Sequence, residues 1–356
     1  MTGYAAITGW GKCVPPAVLT NDEIASVIDT SDEWIRTRSG IRQRRVSHVP
    51  GSDLAAVAAQ RALAAAGANV EDVDLLILAT CTPDTVIPST AAHVQRKIGA
   101  YNAAVFDLNA GCSGFVYSLT VATAMIRSGA YKKALVIGSE RITWFLNWSQ
   151  RDSAVLFGDG AGAVVLESSE LETGLLCSHL GCEGDAAAAL QIPNFGTAGN
   201  RFVDDYGVFD VQFDGREIFR RAVKGMARET RIVLAELGLT VDDIDMIIPH
   251  QANLRIIESL AKHLSVDMSK VEVNIQNYGN TSAATIPVAL VEALEAGRVK
   301  PGASILLAAF GAGLTRAAGI IRWGERVTPV NHSDAELPPC EQTALEILAE
   351  SIRHTV

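Results

Sequence analysis

A chain of 356 residues, 48% hydrophobic and only 20% charged, has the apolar content for one large core or two fused ones, which excludes disorder as a main theme. Its formal net charge of −10 excludes an extended nucleic-acid surface, which needs clustered excess Lys and Arg. Six cysteines without a paired framework point to reduced thiols and a cytoplasmic protein, and the opening MTGYAAITGWGKC has neither the basic nor the apolar region of a secretory signal. The longest uncharged stretch, Leu108 to Ile126, nearly reaches membrane-spanning length, but its two glycines and its Ser, Thr and Asn residues predict a buried helix and no membrane span.

From the amino end, TNDE at Thr20 and TSDE at Thr30 are capping-box patterns that predict two short helices, the second carrying Trp34. RTRSGIRQRR then brings Arg36, Arg38, Arg42, Arg44 and Arg45 into ten residues of an acidic chain. It reads either as a solvated basic face or, beside Trp34, as a platform for an adenine and its phosphates. RALAAAGANVEDVDLLILAT, from Arg61, predicts a helix ending in glycine, an acidic turn and an apolar strand. DLNAGCSGF, residues 107 to 115, sets Cys112 where a strand turns into the helix FVYSLTVATAMI. A thiol there lies near free N–H groups and the positive end of a helix dipole, so its pKa is expected to fall toward neutrality. Gly111 and Gly114 let backbone and substrate come close. Cys13, Cys81, Cys177, Cys182 and Cys340 read as small structural residues.

The second half of the chain echoes the first. RIVLAELGLTVDDIDMIIPH, from Arg231, repeats the pattern begun at Arg61: Gly238 answers Gly67 and Asp245 answers Asp74, both at an offset of 171 (238 − 67 and 245 − 74). The turn before Cys112 overlays VNIQNYGN, setting Cys112 against Asn280, and GDGAGAVVL (158 to 166) overlays GAGLTRAAGII (311 to 321). Duplication of this kind implies an α/β protein with layered sheets and helices between and outside them. The divisions are an N-terminal half 1–170, a C-terminal half 171–325 and an extension 326–356. A pseudo-twofold puts Cys112 and Asn280 on a common cleft. His250, in IIPHQANLRII, stands at the tip of an apolar strand, where ligands collect in α/β architectures.

AGCSGF, PHQANLRI and GNTSAA, in this order and spacing, resemble the β-ketoacyl-acyl-carrier-protein synthase III family of the thiolase superfamily. The likeness runs from TNDEIASVIDTSDEWIRTRSGIRQR through FGDGAGAVVL to AAFGAGLT and Trp323. It implies a thiolase-like fold of two duplicated halves in an αβαβα sandwich, and a decarboxylative Claisen condensation that starts fatty-acid or polyketide synthesis. The residue types suit that chemistry. Cys112 as thiolate accepts an acyl group. Neutral His250 and Asn280 donate hydrogen bonds to the enolate left when a malonyl thioester loses carbon dioxide. Asn cannot act as a base, which argues against proton shuttling between two bases. The resemblance gives the acyl oxyanion the backbone N–H groups of Cys112 and Ala312. It also implies a coenzyme A site at Thr30, Trp34, Arg38 and Arg151, with Gly215 and Phe219 along the pantetheine tunnel. Carrier-protein docking falls to Gln251, Ala252, Asn253, Leu254, Arg255 and Lys262, and the acyl pocket to Ile87 and Phe310, with isoleucine at 87 where relatives often carry an aromatic.

The implied partners are acyl-CoA, a malonyl-acyl carrier protein and a second copy in a homodimer. Coenzyme A thioester enters as a substrate, no cofactor is needed, and the histidines and cysteines lack metal-ligand spacing. A condensing enzyme of a secondary pathway is the runner-up. A degradative thiolase would carry a second cysteine in the turn FGAGL, which has none. A cysteine hydrolase with His250 as base leaves the duplication and Asn280 without a purpose, and a non-catalytic acyl-binding protein needs no such trio. After Trp323 the chain departs from the family: VTPVNHSDAELPP reads as a linker, and EQTALEILAESIRH as a helix with Leu345, Leu348 and Ile352 on one face.

Overall fold

The computed structural model describes residues 3–193, 196–197 and 210–356. Its first half contains β1 (Tyr4–Cys13), β2 (Ala17–Thr20), α1 (Asn21–Ala25), α2 (Asp32–Ser39), β3 (Gln43–Val46) and α3 (Gly51–Ala66). It continues with β4 (Leu75–Ala79), α4 (Thr90–Ile98), β5 (Ala104–Leu108), α5 (Gly114–Arg127), β6 (Lys133–Glu140), α6 (Arg151–Ala154) and β7 (Gly160–Ser169). The second half holds β8 (Gly174–Cys182), the short β9 (Leu190–Gln191) and β10 (Gln212–Phe213), α7 (Gly215–Glu236), β11 (Met246–Pro249) and α8 (Leu254–Leu264). It ends with α9 (Ile275–Tyr278), α10 (Thr285–Glu295), β12 (Ser304–Gly311), β13 (Thr315–Arg322) and α11 (Ala344–Thr355).

The strand order makes the duplication visible. From the middle outward, the first half runs β1-β7-β6-β4-β5 and the second β8-β13-β12-β11. In both, the first two pairings are antiparallel and the third is parallel. The two sets meet through one residue pair, Ala5 with Gly174. A bridge from Ile247 to Val271 stands where the first half has β5.

Side-chain alternation along the strands then builds five layers. Leu75 and Ile77 face an inner cluster shared with Phe115, Leu119, Ile286 and Leu290, so α5 and α10 form a central helical layer. Leu76 and Leu78 face outward to α3 and α4. On the other side, Leu306, Ala308 and Ile320 face α7 and α8. Strands buried on both faces explain why LLILA and SILLAAFG are apolar throughout rather than alternating. The predicted buried helix after Cys112 is α5, and no described helix is long and apolar enough to cross a membrane.

A fourth cluster forms a lobe around β2, α2 and β3, with Leu19, Ile24, Ile35, Phe145 and Trp148 at its centre. Thr20 caps α1 in a full capping box, as TNDE predicts. At the second helix the expectation is corrected: Ser31 is the cap of α2, accepting from the Trp34 N–H at 3.1 Å, and Thr30 lies one residue before it. The basic stretch divides as well. Arg44 is fully buried and donates to Leu19 O, Asn21 Oδ1 and Val155 O, so it serves the lobe's interior and no solvated face.

The extension packs on its own chain. Arg326 donates to the carbonyls of Thr8 and Ala65, and Val330 N donates to Ala65 O at 3.0 Å, fastening this irregular segment to the end of α3. Arg61 donates to Ala335 O at 3.0 Å, and His48 Nε2 lies 2.9 Å from Pro338 O. A capping box of Thr343 and Glu346 then starts α11, whose Ala344 and Leu348 are buried in the lobe.

Candidate active site

One cavity of about 830 Å³ is lined by Cys112, His250 and Asn280 together, with Phe310 and Gly311 beside them and Trp34, Arg38, Gly215, Phe219, Asn253 and Arg255 also on its wall. Each of the three reaches it from the end of a strand or the start of a helix. Cys112 follows β5 and precedes α5 by two residues, His250 directly follows β11, and Asn280 lies in the turn before α10.

The turns holding Cys112 and Ala312 touch backbone to backbone. A Cβ at Gly111, where φ is +55°, would lie 2.8 Å from Ala312 N, and one at Gly311 would lie 2.5 Å from Cys112 N. Only glycine permits that contact, which aims the N–H groups of Cys112 and Ala312 at the thiol. They are correctly disposed for an oxyanion on an acyl group held there.

The thiol itself departs from expectation. Burial pushes it up to about 11, with the Glu140 carboxylate adding to the rise, against opposing hydrogen bonds from Ser282 and the two N–H groups. Cys112 lies just before the helix rather than in its first turn and is 7% exposed, so desolvation outweighs the favourable end of α5.

His250 is also buried, which pushes its ring down to about 3 and keeps it neutral at physiological pH. Its Nδ1 lies 2.7 Å from Thr285 Oγ1, which leaves Nε2 for a bound substrate. Asn280 Oδ1 accepts from the Ser282 N–H at 2.8 Å, which fixes the amide in the cavity wall and leaves its Nδ2 donors free of that bond. A neutral imidazole and a neutral amide therefore line one cavity with the thiol, an arrangement suited to stabilising an enolate oxygen next to an acyl thioester when Nε2 of His250 carries its proton.

Sequence reading missed the carboxylate behind this site. Glu140, wholly buried at the end of β6, accepts from Thr82 Oγ1 at 2.6 Å, Ser282 Oγ at 2.9 Å, Thr80 Oγ1 at 3.1 Å and Cys81 N at 3.1 Å. Burial raises its pKa against those donors. Cys81 is thus no incidental small residue: its thiol donates to Glu140 and lies 3.6 Å from Ser282 Oγ. The serine in GNTSAA was the available signal, since a hydroxyl two residues after Asn280 must point somewhere.

At the cavity mouth, Trp34 carries two guanidinium groups, Arg151 at 4.5 Å and Arg38 at 5.4 Å from its ring centre. Arg151 also donates to Asp29 O at 3.0 Å and borders an adjoining pocket with Asp152 and Phe213. Thr30 is outside the cavity wall, its hydroxyl buried without a protein partner. Asn253 caps α8 and donates to Arg38 O at 3.0 Å, tying that helix to the mouth.

Of the residues expected to dock a carrier protein, Arg255 and Lys262 are exposed on α8, and Ala252 and Leu254 are partly buried. Gln251 does not belong with them. It is fully buried, donating to Pro249 O and Glu272 O and accepting from Asn274 N, because the chain must turn sharply after β11 and this amide fills the turn. Ile87 is 86% exposed on a loop and lines no part of this cavity within its own chain. Among the described residues no group of three or more His, Cys, Asp and Glu side chains is arranged to hold a metal ion.

Comparison with known proteins accords with this geometry. Residues 106–184 match the family described as 3-oxoacyl-acyl-carrier-protein (ACP) synthase III, and residues 234–323 match its C-terminal part. Beta-ketoacyl-acyl-carrier-protein synthase III 2 of Vibrio cholerae serotype O1 is 55% identical over 351 residues, 99% of this chain and 97% of that one. The chain belongs to the β-ketoacyl-acyl-carrier-protein synthase III family. The crystal structure of the family's enzyme from Aquifex aeolicus superposes with a TM-score of 0.85 at 43% identity, covering 90% of this chain and all of that one. The synthase III of Roseiflexus sp. (strain RS-1) is 49% identical and matched over 99% of its own length, yet it covers 91% of this chain. The uncovered share is about the size of the extension, 31 residues from 326 to 356.

Proposed function

We propose that this chain is a β-ketoacyl-acyl-carrier-protein synthase III, an acyltransferase that condenses an acyl-CoA primer with malonyl-acyl carrier protein and so initiates fatty-acid synthesis. The observation that carries the reading is the convergence of Cys112, His250 and Asn280 on one cavity whose mouth holds Trp34 between basic groups.

The steps follow from the residues. Coenzyme A lies with its adenine against Trp34, its phosphates near Arg38 and Arg151, and its pantetheine arm past Gly215 and Phe219, with Thr30 beside the mouth. The Cys112 sulfur attacks the thioester carbonyl, the N–H groups of Cys112 and Ala312 hold the oxyanion, and the C–S bond to coenzyme A breaks as the proton given up by Cys112 ends on the departing coenzyme A thiol. Neutral His250 with its Nε2 protonated, together with Asn280, then donates to the malonyl carbonyl oxygen as carbon dioxide departs. The resulting carbanion attacks the Cys112 thioester; the β-ketoacyl group leaves on the carrier protein and the cysteine is restored. Phe310 walls the acyl end of the cavity.

The carrier protein docks on the exposed end of α8, through Arg255 and Lys262 with Ala252, Asn253 and Leu254 beneath. The working unit is a homodimer, supported by the exposed pair Val86 (73%) and Ile87 (86%), whose aliphatic surface a second copy would cover. The six free thiols suit a reducing cytoplasm.

Intact-protein mass after mixing with an acyl-CoA, followed by malonyl-acyl carrier protein, tests the reading. The acyl group should appear on the protein, vanish on addition of the malonyl substrate and emerge elongated; Cys112→Ala should remain folded and take up no acyl group. Hydrolysis without a stable acyl-enzyme, or acylation of the alanine variant, would overturn it.

A further inference from the structure

We infer that the C-terminal extension is a brace for the coenzyme A mouth, holding Arg151 against Trp34 through Trp148. The inference rests on the assignment of that mouth to coenzyme A.

The connection can be followed bond by bond. Trp148 is buried in the lobe, and both of its N–H groups are satisfied by α11: its backbone N donates to Thr355 Oγ1 at 3.1 Å and its indole Nε1 to Ser351 Oγ at 3.2 Å. From Trp148 the chain makes one tight turn, Gln150 N donating to Asn147 O at 3.0 Å, and enters α6 at Arg151. The Arg151 guanidinium then stacks 4.5 Å from the Trp34 ring. The same helix presses Ala344 and Leu348 into the cluster that contains Ile35, the neighbour of Trp34 on α2. α11 thus holds the turn that carries Arg151 directly and shares the lobe's core with Ile35.

Removing the extension would take both hydrogen-bond partners from Trp148 and expose its side of the lobe to water. The turn that aims Arg151 would lose its anchor, while the catalytic turns keep supports outside α11: the Cys112 turn packs on Ala312, His250 N donates to Ala308 O at 2.8 Å, and Asn280, at the lobe's edge, donates from its N to Leu156 O at 2.9 Å and accepts on Oδ1 from the Ser282 N–H. The relative from Roseiflexus, matched over 99% of its length, leaves a share of this chain the size of the extension unmatched. The brace acts on how firmly the primer's nucleotide end is gripped. Ser351 and Thr355 are positioning residues that act through Trp148 and Arg151.

The test compares an acyl-CoA with the N-acetylcysteamine thioester of the same acetyl or butyryl group, which lacks the nucleotide. In the full chain carrying Ser351→Ala and Thr355→Val, the KM for the CoA thioester should rise roughly three- to tenfold, the loss of one or two hydrogen bonds. The kcat/KM for the truncated thioester should not change. The pair Ser351→Thr and Thr355→Ser, which keeps both hydroxyls, should restore the wild-type KM. Trp34→Ala serves as the control for the mouth and should raise the CoA KM selectively on its own. If Trp34→Ala discriminates between the thioesters and the extension variant does not, the brace is refuted. If the extension variant loses both thioesters equally, the helix only stabilises the fold and the inference also fails. If Trp34→Ala itself does not discriminate, the coenzyme A assignment is what falls.

Discussion

Nδ1 of His250 lies 2.7 Å from Oγ1 of Thr285, and the same hydroxyl reaches the carbonyl oxygen of Ser282 at 3.0 Å. One hydroxyl proton cannot be donated to both neighbours. Donated to Ser282, it leaves Nδ1 as the ring's N–H and Nε2 as a bare lone pair facing the cavity; donated to His250, it gives a ring whose Nε2–H points at the substrate. The enolate needs the second state. Thr285→Val keeps the shape and removes the donor, so malonyl decarboxylation should fall roughly tenfold, for a hydrogen bond of about 1–1.5 kcal/mol. Thr285→Ser should stay close to wild type. Carbon dioxide release measured on both variants decides the matter, and equal rates in all three proteins would remove Thr285 from the account.

The high pKa of Cys112 makes a direct prediction about reactivity. With the thiol pushed up to about 11, alkylation by iodoacetamide should quicken roughly tenfold per pH unit between pH 7 and 9, following the thiolate fraction. The Cys112→Ala variant subtracts the other cysteines. A rate that levels off near pH 7 would show an ionised thiol and a dominant helix dipole.

His250 has the opposite sign of shift and a different consequence. Its folded pKa is lowered from 6.5 to about 3, so the unfolded chain takes up a proton below pH 6.5 that the folded chain refuses. Stability from this group is complete above pH 6.5 and declines as pH falls toward 3. The stability difference between wild type and His250→Asn should shrink by about 2 kcal/mol from pH 7.5 to 5, measured by urea unfolding. A difference independent of pH would contradict a buried neutral ring.

Ile87 should influence primer choice only across a subunit boundary, because it lies outside the cavity of its own chain. Ile87→Phe is expected to favour acetyl-CoA over butyryl- or octanoyl-CoA, by roughly tenfold for each two methylenes excluded. Sedimentation of the same samples shows whether the protein is paired. A changed profile in a monomer, or an unchanged one in a dimer, would refute the partner contact.

Much of this was legible in the sequence because the relevant signals are periodic or local. The offset of 171 between Asp74 and Asp245 anticipates two halves of one nine-stranded sheet that share a strand order, and glycines around Cys112 anticipate a close backbone crossing. What escaped depends on burial. Arg44 and Arg38 are two of the five arginines in one basic run, yet one fills the lobe and the other lines the mouth. Gln251 sits between two cavity neighbours but turns inward to fill a bend. Cys81 and Glu140 approach Ser282 only through the fold, from 201 and 142 residues away. The direction of the Cys112 shift was misread for the same reason: the helix end is written in the sequence, and the depth of the pocket is not.

The matching strand orders have a consequence for how such a catalyst divides its labour. Cys112 and Asn280 stand at corresponding positions of two like halves, and they are chemically unlike. A protein with the same residue at both places would have two thiols and only His250 left to donate to an enolate, or two amides and no nucleophile to carry the primer. The molecule is, in effect, a heterodimer whose two subunits share one chain. Each place occurs once in the chain, so a substitution beside Cys112 has no mirrored copy beside Asn280.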